Sequence, residues 1–169
     1  MHLNRLHYTY INSPIGKIFV AMSRMGVCRI GLPGETKEDL FNWIQRHFPG
    51  KDLVQSDSIF SSVKSELNRY FAGELKEFFF HLDLQTSPFR QKVLVKVRDI
   101  PYGETASYKE IAERIGNPRA VRAVGNANAN NPLPIVIPCH RVIAHDGSLG
   151  GYGAGLKLKK MLLQLEGAI

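Results

Sequence analysis

The sequence predicts an α+β fold built in two parts, a strand-rich first half and a helical second half. Three observations predict it. Short segments alternate apolar and polar residues over the first thirty positions, apolar residues then recur at three- and four-residue spacing, and a succession of helix caps follows residue 86.

Taken in order, Tyr8-Thr9-Tyr10-Ile11 reads as a strand, Asn12-Ser13-Pro14 as a turn, and Lys17 to Ala21 and Gly26 to Ile30 as two further strands of a meander. Thr36 to Phe48 reads as a helix capped by Thr36, with Leu40, Phe41, Ile44 and Phe48 on one face. Ser58 to Ala72 reads as a second helix, with Ile59, Val63, Leu67 and Phe71 in line and Gly73 at its end. Phe78 to Leu82 resembles one more strand. The aromatic residues of this half are explained as core, and no chemistry shows in it. The pattern changes between Asp83 and Ser87.

Ser87-Pro88 then opens a helix as cap and first-turn proline, with Phe89, Val93, Leu94 and Val97 as its apolar stripe. Pro101-Tyr102-Gly103 is a turn. Ser107-Tyr108-Lys109-Glu110 is a capping box that starts another helix, stopped by Gly116. Asn117-Pro118 reads as the start of a following helix over Arg119 to Val124, which makes the pair a helix-turn-helix candidate. Asn126 to Pro132 reads as an amide-rich loop leading into an apolar strand, Ile135-Val136-Ile137.

Composition narrows the function classes. The chain has 169 residues, 44% hydrophobic and 22% charged, ordinary values for a soluble globular protein. No apolar run approaches the ~20 residues of a membrane span, and the N-terminus lacks the apolar stretch of a signal peptide. The expectation is a cytoplasmic protein, nuclear if eukaryotic, without a membrane partner. Two cysteines without paired spacing give neither a disulfide framework nor a metal site. The net charge of +7 is uneven: residues 1–83 hold ten Lys and Arg against nine Asp and Glu, and residues 84–169 hold twelve against six. A basic second half suits a polyanion such as nucleic acid, or simply a soluble basic surface.

The segment with most chemical content is Pro138-Cys139-His140-Arg141-Val142. Proline ends the preceding strand because it has no N–H to donate, so Cys139 falls at a chain reversal, presented rather than packed. Unpaired amides of a helical turn and a neighbouring imidazole favour the thiolate, the nucleophilic form. Cys28, inside a strand-like apolar segment, reads as an inert core thiol.

Together with the flanking motifs, this segment resembles the O6-alkylguanine-DNA alkyltransferases, the methylated-DNA–protein-cysteine methyltransferase family. The likeness runs through Gly103-Glu104, Ser107-Tyr108, Gly116-Asn117-Pro118, Arg122-Ala123-Val124-Gly125, Asn131-Pro132, Ile137 to Val142, Tyr152 and Leu165-Glu166-Gly167. It implies an N-terminal ribonuclease-H-like α/β domain over residues 1–84 and a helical winged helix-turn-helix DNA-binding and catalytic domain over 85–169. It also implies the reaction: irreversible transfer of the alkyl group from O6-alkylguanine, and from O4-alkylthymine, to the protein's own cysteine, once per molecule. The implied partner is double-stranded DNA containing O6-alkylguanine, bound by a monomer without cofactor or metal.

Residue roles follow from the same resemblance. Cys139 is the nucleophile, His140 the general base, Glu166 its orienting carboxylate, Tyr108 the proton donor to the leaving oxygen, and Asn131 the residue that orders the active-site loop. Arg122 resembles the arginine that fills the place of the flipped nucleotide, with Arg119, Ala123, Ser107 and Arg141 as further DNA contacts. Pro134, Val142, Tyr152 and Gly153 line the base pocket. Many relatives carry serine where this chain has Gly153, so an amide donor is kept and a hydroxyl lost. Taken without the resemblance, Glu166 is a solvated helix-end carboxylate and Tyr108 an interfacial aromatic. Three rival functions remain: a damage-recognition module, an alkylation-sensing regulator, and a thiol hydrolase. The reactive cysteine argues against the first, the lack of a regulatory or zinc-binding segment ahead of residue 1 weakens the second, and the basic helix pair leaves the third unexplained.

Overall fold

The computed structural model describes residues 4–169; positions 1–3, included in the N-terminal part above, lie outside the described residues. The chain divides into two compact units, Met1–Gln85 and Thr86–Ile169.

In the first unit β1 (Arg5–Ser13), β2 (Gly16–Ser23) and β3 (Gly26–Gly31) form the antiparallel meander. A fourth strand, β4 (Asp52–Gln55), pairs parallel with β1, giving the order β3-β2-β1-β4. Its four residues are too few for alternation to announce them. One sheet face buries Leu6, Tyr8, Phe19, Ala21 and Cys28 against Leu40 and Ile44 of α1 (Lys37–His47). Thr36 caps that helix, exchanging hydrogen bonds with Asp39 in a capping box. Ile18, Val20 and Ile30 are fully buried, as period-two alternation requires of a sheet covered on both faces.

The second predicted helix forms as a 3₁₀ turn at Ser58–Phe60 followed by α2 (Ser61–Phe71), and Val63, Leu67 and Phe71 are buried while Ile59 is exposed. The strand expected over Phe78 to Leu82 is absent. Only Leu82 bridges, to Val27, with the Val27 amide donating to the His81 carbonyl and the Asp83 amide to the Val27 carbonyl, both at 2.8 Å; the aromatic content ahead of it reflects packing of Phe78 against Tyr70 and Phe80.

The second unit contains α3 (Pro88–Arg98), β5 (Ala106–Ser107), α4 (Tyr108–Arg114), α5 (Val121–Ala129), β6 (Val142–Ile143) and α6 (Leu156–Leu165). Ser87 caps α3, and Ser107 with Glu110 closes the capping box of α4. Two expectations fail here. Residues 117–120 form a turn, so α5 starts at Val121 and runs through Asn126 to Ala129, most of the supposed amide-rich loop. The asparagines at 126 and 130 are exposed while Val124, Ala127 and Asn128 are buried, a helical period hidden by polar residue types.

The supposed strand at Ile135–Ile137 is a turn. Ile135 has φ 74, a left-handed conformation rare for a β-branched residue, and the Ile137 amide donates to the Leu133 carbonyl at 2.8 Å. Apolar composition correctly predicts burial of Leu133, Ile135, Val136 and Ile137. It does not supply a neighbouring strand, and without one the segment folds back on itself.

Candidate active site

Cys139 begins a 3₁₀ turn, Cys139–Arg141, that leads directly into β6. β6 pairs parallel with β5, Ala106 opposite Val142 and Ser107 opposite Ile143, so the start of α4 and with it Tyr108 is brought alongside the residues that follow the cysteine.

The thiol is packed rather than presented: Cys139 is only 4% exposed. Burial pushes its pKa up, against the expectation of a depressed value. Hydrogen bonds from the Asn131 and Tyr152 side chains, the Lys159 charge and a backbone amide pull in the opposite direction without overcoming it. A base is therefore required to generate the thiolate.

His140 has the geometry of that base. Its ring is fully buried, and Nε2 lies 2.7 Å from Glu166 Oε1. A carboxylate can only accept, so the proton sits on Nε2 and Nδ1 carries the lone pair. Nδ1 has no hydrogen-bond partner among the described residues. Burial lowers the imidazole pKa, outweighing Glu166, and Arg141 and Lys159 lower it further. The ring is thus a neutral acceptor.

Glu166 is the C-cap residue of α6 and is buried, not solvated. Its place at a helix C-terminus is unfavourable for an anion, and Arg141 compensates. The guanidinium Nε donates to Oε2 at 2.8 Å and Nη2 to Oε1 at 2.9 Å, while Nη1 donates to the Ile100 carbonyl at 2.6 Å. This corrects the assignment of Arg141 as a DNA contact. Three of its five N–H groups are taken by a carboxylate and a carbonyl, and with 7% side-chain exposure beside the Tyr102 ring the guanidinium is turned away from any phosphate.

Asn131 spans the strained turn. Its Nδ2 donates to the Ile137 carbonyl at 2.8 Å, and its Oδ1 accepts from the Leu133 amide at 2.9 Å. These bonds clamp both ends of the segment containing Ile135, whose conformation costs on the order of 1–3 kcal/mol. Pro134 is buried in the same turn, and Val142 is buried immediately after the 3₁₀ turn.

Tyr108 is half-buried at the first position of α4, its hydroxyl donating to the Gly151 carbonyl at 3.3 Å. Gly150, at φ +68, approaches the ring closely: a Cβ there would meet Tyr108 Cε2 at 3.0 Å. Burial raises the phenol pKa, and a Cys139 charge raises it further.

Lys159, which the sequence pattern does not single out, belongs to the same buried cluster. It is fully buried in α6, and its Nζ donates to the carbonyls of Val142 at 2.6 Å, Gly151 at 3.0 Å and Leu149. The ammonium also faces the Tyr108 ring at 5.8 Å. It ties β6 to the 149–151 segment ahead of half-buried Tyr152 and exposed Gly153. Desolvation lowers its pKa to about 8. The surrounding Leu-Lys-Leu-Lys-Lys run disguises it, because its neighbours Lys157 and Lys160 are exposed.

The proposed DNA contacts on α5 and before it are separate from this buried cluster. Arg119, Arg122 and Ala123 are exposed, and Ser107 is half-buried with its hydroxyl accepting from the Glu110 amide at 3.0 Å. No helix among the described residues is long and apolar enough to cross a membrane.

Comparison with known proteins gives matches along nearly all of the chain. Residues 6–84 match the 6-O-methylguanine DNA methyltransferase ribonuclease-like domain, and residues 88–168 match the DNA binding domain of the same family. A methylated-DNA–protein-cysteine methyltransferase of Mycobacterium bovis is 44% identical over 162 residues, 95% of this chain and 92% of the relative. One from Methanosarcina acetivorans is 41% identical over 165 residues, covering 96% and 99%. Among solved structures, Mycobacterium tuberculosis OGT in complex with DNA superposes with a TM-score of 0.84 at 42% identity, covering 96% of this chain and 93% of that one.

Proposed function

The chain belongs to the 6-O-methylguanine DNA methyltransferase family, and from that premise we propose that it repairs O6-alkylguanine in duplex DNA by moving the alkyl group onto Cys139. The observation that carries this reading is a buried thiol followed by an imidazole whose Nε2 is held by a buried carboxylate, leaving Nδ1 as the acceptor.

In this reading the Cys139 proton passes to His140 Nδ1, through a water where the two do not touch. The thiolate then attacks the alkyl carbon in line with the departing oxygen. The S–C bond forms as the C–O6 bond breaks, and the electron pair remains on the guanine. Tyr108 supplies the proton that neutralises it, and the proton held by His140 replaces the one Tyr108 gives up. The net change moves one proton from thiol to base. Glu166 stabilises the imidazolium that forms, as the third member of a triad does. The thioether product is a poor leaving group, so each monomer acts once.

Reaching the O6 atom requires the nucleotide to leave the stack, at about a few kcal/mol. Arg122, exposed near the start of α5, is assigned the vacated place, and Arg119 a phosphate. Pro134, Val142, Tyr152 and Gly153 are assigned to the extruded base. A cytoplasmic setting suits a working thiol, because reducing compartments keep it free.

Intact and peptide mass spectrometry after mixing the protein with a duplex containing one O6-methylguanine tests the proposal. One added methyl on the Cys139 peptide, saturating at one per chain and absent from Cys139→Ala, is expected. Lesion binding without added mass would make the chain a recognition module instead.

A further inference from the structure

Asn128 is used by none of the steps above. It lies in α5 at 5% exposure, and its Nδ2 donates to the Cys139 carbonyl at 3.1 Å. One helical turn earlier, Gly125 brings α5 against Tyr108, where a Cβ would stand 4.0 Å from Cδ1 of the ring. The Asn128 side chain also stands near enough to the Tyr108 phenol to lower its pKa.

The orientation of the carboxamide is fixed by its surroundings. Only an N–H can face the Cys139 carbonyl, since the reverse orientation would set two acceptors against each other. An amide nitrogen carries two hydrogens. With one on the Cys139 carbonyl, the other is available to the phenol oxygen of Tyr108. Oδ1 is buried without a hydrogen-bond partner among the described residues. A buried acceptor left unsatisfied is costly, and such a group in a native structure calls for an explanation.

We propose that Asn128 is a positioning residue for alkyl transfer: it ties the Tyr108 hydroxyl to the backbone of the nucleophile and stabilises the phenolate left when Tyr108 protonates the guanine. The inference rests on Tyr108 being the proton donor. During that step the O–H bond of Tyr108 breaks, a bond from hydrogen to the guanine forms, and negative charge appears on the phenol oxygen. A hydrogen bond to a charged oxygen is roughly twice as strong as one to a neutral oxygen, so the Asn128 N–H favours the transition state over the resting site. Burial works the other way, pushing the Tyr108 pKa up, and the Asn128 side chain offsets part of that rise.

Single-turnover transfer from a duplex with one O6-methylguanine, using the full chain and its Asn128→Leu, Tyr108→Phe and doubly substituted forms, tests the inference. Asn128→Leu is expected to slow transfer about tenfold, the scale of one strengthened hydrogen bond, with lesion-DNA Kd within about twofold of the parent. In the Tyr108→Phe background the same substitution should cause no further slowing. Asn128→Ala, which removes the amide without adding bulk, replaces Asn128→Leu if the larger side chain disturbs folding. Equal slowing in both backgrounds, or a parental rate in either Asn128 variant, would overturn the role of Asn128 while leaving Tyr108 in place. A parental rate for Tyr108→Phe would instead overturn the proton-donor reading itself.

Discussion

Replacing Glu166 by glutamine removes one negative charge from a position where three N–H groups converge: His140 Nε2 at 2.7 Å, Arg141 Nε at 2.8 Å and Arg141 Nη2 at 2.9 Å. Glutamine keeps the shape but offers one acceptor oxygen in place of two. If that oxygen stays at the Oε1 position, the amide NH₂ faces Arg141 Nε–H, donor against donor. If the amide turns over, the NH₂ faces His140 Nε2, and the ring must carry its proton on Nδ1, where no lone pair then remains for the thiol. Either way a guanidinium with 7% side-chain exposure loses its anion. Breaking a buried pair from one side costs about 3–5 kcal/mol, a large part of the roughly 5–15 kcal/mol that holds a typical domain folded.

Urea denaturation of the full chain should register that loss. Single-turnover transfer should fall by at least about 100-fold, the lower range for removing general-base catalysis. Adding Arg141→Met separates the two effects. The doubly substituted chain no longer buries an unpaired cation, so it should regain about 1–4 kcal/mol relative to Glu166→Gln. Its transfer rate should stay low because the imidazole still lacks its carboxylate. A Glu166→Gln chain within about 0.5 kcal/mol of the parent, the scatter of ordinary surface changes, would refute the reasoning, as would a double substitution less stable than the single one.

Lys159→Met should remove the donor shared by the Val142, Leu149 and Gly151 carbonyls. Relief of ammonium desolvation offsets part of the lost bonding, so hydrogen exchange over residues 144–152 and the transfer rate should change more than the unfolding free energy. The pH dependence follows from His140, whose folded pKa is lowered from 6.5 by burial. Below pH 6.5 the unfolded chain binds a proton that the folded chain refuses. Stability should therefore rise with pH, by up to about 1.4 kcal/mol per unit from this group, between the lowered folded pKa and 6.5. The slope should be reduced in His140→Gln, and an unchanged slope in a denaturation series would count against a neutral buried imidazole. Gly153→Ser should fit, because a Cβ there has as its nearest neighbour the Ala129 carbonyl at 3.9 Å. Unfolding should change by less than about 0.5 kcal/mol, while matched oligonucleotides should show an altered preference between methyl and bulkier O6-alkyl groups.

Much of the second unit is legible in the chain because its signals are local. Ser87-Pro88 and Ser107 with Glu110 act within one helical turn, and both helices start where those residues stand. The apolar run before Cys139 is legible as buried but not as a turn. Its conformation is set by Asn131 bonding Leu133 and Ile137, and by a left-handed Ile135 that no propensity would suggest. The asparagines of α5 obscure a helix whose buried positions carry a polar side chain, Asn128, on the active-site side.

By itself, the sequence determined the two-part α+β organisation, the basic second half, the inert Cys28 and the Cys-His pair, because caps, alternation, charge and adjacency are properties of neighbouring residues. Tertiary structure decided what depends on proximity between residues distant in the chain. It brought Glu166 to His140 across 26 positions and turned Arg141 inward to the same carboxylate. It also buried Lys159 beneath three carbonyls and left Cys139 only 4% exposed. Charge type is written in the sequence. Whether a charge meets water, a phosphate or a buried partner is fixed only when packing removes the solvent around it.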